Sequence, residues 1–84
     1  MNFPQYRKYN NNQSYFKIIS ETEIVELKIF GKFYELHHIQ AKILPERIMI
    51  ADLLIDYKNF ALEINESEFE EQLNYCKMNV SLLK

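Results

Sequence analysis

Apolar positions along this chain follow two rhythms, an alternation of period two and a recurrence near 3.6, separated by short polar breaks. Between Ile24 and Ile39 the rhythm is that of strands: Val25, Leu27 and Ile29 alternate with Glu26 and Lys28 until Gly31-Lys32 interrupts. A glycine followed by any residue suits a two-residue type II′ turn, and so short a turn fixes the register. Phe30 then faces Phe33, Lys28 faces Glu35, Glu26 faces His37 and Ile24 faces Ile39. In that register Val25, Leu27, Ile29, Tyr34 and Leu36 share one face, while complementary charged pairs occupy the other; a slip of one residue would destroy both patterns. A hairpin is predicted over residues 23–43. Before it, Tyr15, Phe16, Ile18 and Ile19 around Lys17 predict a strand ending at Ser20. Ser20 to Glu23 has the spacing of a capping box, but the apolar residues after it scatter around a helical wheel, so a strand is the better reading.

Pro45 ends the second arm of the hairpin, because its ring donates no hydrogen bond and restricts the residue before it. Residues 48–55 are then nearly continuous in apolar character, which fits a buried strand or a helix with Pro45 at its first position. Asp56-Tyr57-Lys58-Asn59 resembles a four-residue loop, and Phe60 to Ile64 reads as a strand, so a second hairpin is expected over about 48–64. One detail opposes it: the pairing sets Asp52 opposite Glu63, two like charges. Asn65 followed by Glu68, with Ile64 and Phe69 placed as a hydrophobic staple, starts a helix expected over about 66–78. Phe69, Leu73, Cys76 and Val80 make its apolar stripe, and residues 80–84 are expected to fray or to join a partner.

These elements predict an α+β domain: a twisted antiparallel sheet of four or five strands with the C-terminal helix packed on one face. A small curled β-barrel with a terminal helix is the alternative. At 84 residues the chain reads as a single domain, 1–84, with residues 1–13 as an N-terminal arm. Six Tyr and six Phe supply large side chains to a core that would otherwise be short of area.

Composition narrows the functional classes. The one cysteine closes no intrachain disulfide, and the N-terminus has no run resembling a signal peptide, so a cytoplasmic protein is expected. No window is apolar enough to cross a bilayer, and no membrane partner is expected. Net charge is −2 with a pI near 5.6, unlike a general polyanion binder. The imbalance is local: residues 1–44 carry six Lys/Arg against four Asp/Glu, while 45–84 carry four against eight.

Three constellations invite chemistry. His37, facing Glu26 and two residues from Glu35, suggests an acid/base or metal site; adjacent His38 points to the opposite strand face and cannot share a metal with it. Tyr6-Arg7-Lys8-Tyr9 interleaves bases with aromatics, as single-stranded nucleic-acid binding requires, although no RNA-binding motif or basic stripe accompanies it. The hairpin's charged face has apolar ends, Ile24 with Ile39 and Phe30 with Phe33, suited to contact with another protein or a second copy. Cys76 on the helix stripe reads as a small hydrophobe, and Asp52 inside an apolar run must find partners or water. No phosphate loop, dinucleotide fingerprint, nucleophile elbow or paired-cysteine motif is present, so no catalytic residue and no cofactor is assigned. The sequence favours a non-catalytic protein-interaction module that self-associates as a homodimer. Nucleic-acid binding through Tyr6 to Tyr9, and an enzyme or metal site at Glu26, Glu35 and His37, are the alternatives.

Overall fold

Gly31 reverses the chain with a φ of +60°, a conformation that favours glycine, and the strands on either side pair in the predicted register from Phe30–Phe33 to Ile24–Ile39. This hairpin is the centre of the computed structural model, which describes residues 2–82. In chain order the strands are β1 (Gln5–Tyr9), β2 (Ser14–Ser20), β3 (Glu23–Phe30), β4 (Phe33–Gln40), β5 (Ala61–Ile64) and β6 (Ser81–Leu82). Two helices, α1 (Leu44–Leu54) and α2 (Glu66–Asn79), complete the fold. The sheet is open, in the order β5-β1-β2-β3-β4-β6, and every pairing is antiparallel except β4 with β6. The α+β architecture is as expected, and the sheet does not close into a barrel.

Three features differ from the sequence reading. The N-terminal arm is anchored, because Gln5–Tyr9 forms β1 between β2 and β5. The second hairpin is half realised: β5 forms, but residues 44–54 are helical. Pro45 lies in the first turn of α1, and the Glu46 carboxylate reaches back to accept the backbone N–H groups of Lys42 and Ile43 at 3.0 and 3.4 Å. The helix also removes the Asp52–Glu63 conflict, since Glu63 lies opposite Arg7 on β1. Finally, β6 pairs with Phe33 and Tyr34; the last two residues of the expected 80–84 tail lie outside the described residues.

Period-two alternation gives the sheet two apolar faces, each with its own helix. Phe16, Ile18, Ile24 and Ala61 pack with Ile50, Leu53 and Leu54 of α1. On the other face Tyr6, Tyr15, Leu27 and Tyr34 pack with Phe69 and Cys76 of α2. The Asn65 side chain caps α2 by accepting the Glu68 N–H at 2.8 Å. Ser20, whose spacing suggested a cap, instead binds the Thr22 N–H at 3.2 Å in the β2–β3 turn.

Candidate functional site

The first helix has apolar side chains on all sides. Its inner face carries Ile50, Leu53 and Leu54 into the core. Its outer face carries Leu44, Ile48, Ala51 and, at the C-cap, Ile55, at intervals of four, three and four, which align on one side of a helix. Leu44 is 68% exposed, Ile48 49% and Ile55 74%. Such a row faces outward from α1 rather than into the core.

Two depressions flank the row. One, of about 300 Å³, is lined by Tyr9, Pro45, Ile48, Met49, Asp52 and Phe60, among others. The second, of about 270 Å³ and on the opposite side of α1, is lined by Glu21, Thr22, Arg47, Ala51, Leu54 and Ile55. Asp52 thus edges one flank and Arg47 the other, and both side chains are exposed. Among the described residues neither has an ion-pair partner.

The back of α1 is held by an arginine from the far end of the sequence. Arg7 is 3% exposed; its Nε donates to the Leu53 carbonyl at 2.9 Å, Nη1 to the Tyr6 carbonyl at 2.9 Å and Nη2 to Gln5 Oε1 at 2.7 Å. Its guanidinium carbon lies 4.1 Å from the centre of the Tyr57 ring. The last turn of α1 has no basic residue of its own, so Arg7 supplies positive charge and a donor where free carbonyls gather.

That placement removes the nucleic-acid alternative's main anchor. Arg7 and Tyr6 are buried, and the Tyr6 hydroxyl donates to Glu66 at 3.2 Å. Lys8 donates to Glu68 at 2.8 Å, a bond that raises its pKa, and Tyr9 packs edge-on against Phe16. Tyr6, Arg7 and Lys8 present no free stacking or phosphate-binding group, and Tyr9 is half-buried at the edge of the first depression.

The acid/base constellation is also divided. His37 Nε2 lies 3.1 Å from Glu35, but Glu26 accepts a hydrogen bond from Ser14 at 3.1 Å instead of joining them. His38 pairs with Glu23. Among the described residues no three His, Cys, Asp or Glu side chains converge as a metal site would require.

Of the hairpin contact residues, Ile24 is fully buried and Ile39 packs against the same cluster, because α1 covers that end. Phe30 and Phe33 remain near the surface with ring centres 6.4 Å apart. Cys76 is buried, and burial pushes its thiol pKa up, away from nucleophilic chemistry at neutral pH. The outer row of α1 was missed from sequence because exposed and buried aliphatic residues read alike; Asp52 was the one member of this surface that stood out. Among the described residues no helix is long and apolar enough to cross a membrane. No protein-family model, curated protein or solved structure matches this chain.

Proposed function

We propose that this protein is a small non-catalytic interaction module of the cytoplasm that self-associates as a homodimer through the outer face of α1. The carrying observation is the row Leu44, Ile48 and Ile55, exposed on a helix whose opposite side already satisfies the core. Burying such a row yields roughly 25 cal/mol per Å² of apolar surface removed from water. A fold that needed α1 only as a cover would be served by polar residues there. Sedimentation velocity over a range from low to high micromolar should give a dimer whose fraction rises with concentration. Ile48→Asp should abolish the dimer while leaving the circular-dichroism spectrum of the monomer unchanged. A wild-type chain that stays monomeric throughout that range would overturn the reading.

A further inference from the structure

We infer that two copies pair with their α1 helices parallel, related by a twofold axis running along the helices; this rests on the self-association reading above. A closed dimer uses one surface twice, so that surface must complement itself. Two orientations align the rows of α1, and the charges on its flanks distinguish them.

Leu44 and Ala51 stand seven residues apart, as do Ile48 and Ile55, which is the spacing of a short two-helix seam. With Leu44 and Ala51 at the d positions, Ile48 and Ile55 fall at the a positions, Arg47 at g and Asp52 at e. In a parallel pair each layer meets its own copy, and a g residue lies beside the e residue five positions on in the partner. Arg47 of each copy therefore meets the partner's Asp52, on both sides of the seam. In an antiparallel pair the flanks meet like with like, Arg47 beside Arg47 and Asp52 beside Asp52. Only the parallel arrangement gives two attractive pairs.

Other observations agree with it. Arg47 and Asp52 are exposed, lie on opposite flanks and lack ion-pair partners among the described residues. β-Branched residues at a with leucine at d favour two-stranded parallel seams, and Ile48, Ile55 and Leu44 match that preference. Ala51 leaves its layer thin, letting the helices approach closely. Glu21 lines the same flank as Arg47 and makes no ion pair with it.

The test uses the full chain carrying Leu44→Cys under mild oxidation at the concentration where wild type is dimeric, with the 83% exposed Met78→Cys as control for random collision. Parallel pairing brings residue 44 beside its copy, so Leu44→Cys alone should form a covalent dimer at least tenfold faster than Met78→Cys. Antiparallel pairing instead brings residue 44 beside the partner's residue 55. Cross-linking only in a mixture of Leu44→Cys with Ile55→Cys would overturn the parallel arrangement while leaving self-association intact. No cross-linking above the control, with a monomeric mass for wild type, would overturn both. As an independent readout, Arg47→Gln should weaken the dimer about fivefold, the order expected for two exposed ion pairs. Tightening by that variant would point to relieved Arg47–Arg47 repulsion and reject the parallel seam.

Discussion

The two helices lie on opposite faces of one sheet and solve opposite problems. The longer, α2, is amphipathic: Phe69 and Cys76 enter the core, Glu66, Glu70 and Glu71 leave a polar exterior, and Asn65 caps it from its own segment. The shorter, α1, has apolar residues inside and out, and its Leu53 carbonyl is served by Arg7, from a strand more than forty residues earlier. Burial on one side accounts for the placement of Phe69 and Cys76 in α2, which leaves Tyr75 and Met78 as scattered exposed positions. For α1 it accounts for half the apolar residues, and the remainder is the basis for assigning it an external partner.

The largest effects should separate inner from outer positions. Phe69→Ala under α2 should cost about 3–5 kcal/mol, and Ile50→Ala under α1 about 2–5 kcal/mol, by loss of contact and a residual cavity. Ile48→Ala on the outer row should change monomer stability by less than about 0.5 kcal/mol while weakening association. Urea unfolding at concentrations that keep the chain monomeric checks the contrast; equal losses at Ile50 and Ile48 would erase the distinction.

The next effect concerns how each helix ends. Arg7→Met removes a buried charge together with three hydrogen bonds and leaves the Leu53 carbonyl short of a partner, an expected loss of about 2–3 kcal/mol. Arg7→Lys should recover only part of it, because a single ammonium cannot reach the same acceptors in a plane. Asn65→Ala should cost about 1 kcal/mol, the usual loss of a side-chain cap. Amide hydrogen exchange would locate the first loss in α1 and β1 and the second at the start of α2.

Alkali should have the smallest effect and should act on both sides of the sheet, since burial also raises the pKa of Tyr9 on the α1 side. Burial raises the pKa of Tyr6 and Tyr15, with the Glu66 hydrogen bond adding to the rise at Tyr6. Their folded pKa values exceed the unfolded ones, so the stability they contribute is intact at neutral pH and is lost as pH climbs beyond about 10. Tyr15→Phe should flatten that decline in unfolding midpoints measured from neutral to alkaline pH; an unchanged slope would show that other groups carry it.

The sequence disclosed those parts of the fold where one local constraint sufficed. Gly31 and Lys32 allow only a tight reversal, and every pair from Phe30–Phe33 to Ile24–Ile39 follows from it. Asn65 with Glu68 likewise set the start of α2. The first strand was hidden because Arg7 reads as a surface base, and only three-dimensional packing reveals that Leu53 and Tyr57 enclose it. The first helix was hidden because apolar residues around its whole circumference erase the periodicity that distinguishes a helix from a buried strand. Its signals were the unfavourable Asp52–Glu63 pairing and Glu46 placed to reach back beyond Pro45. The candidate surface shared that fate: Asp52 was conspicuous as a charge among aliphatics, whereas Leu44, Ile48 and Ile55 resembled ordinary core.

The position of β1 between β2 and β5 also orders the birth of the molecule. Tyr6 faces Lys17 across one turn but Ile64 across most of the chain, so one edge of β1 pairs early and the other must wait. A polypeptide leaving the ribosome can assemble β1 to β4 as a local meander, clothe one side when α1 emerges and the other only after α2 follows. During that interval the bare tyrosine-rich side is exposed along with the aliphatic ridge of α1, and only the former is later covered by the chain itself.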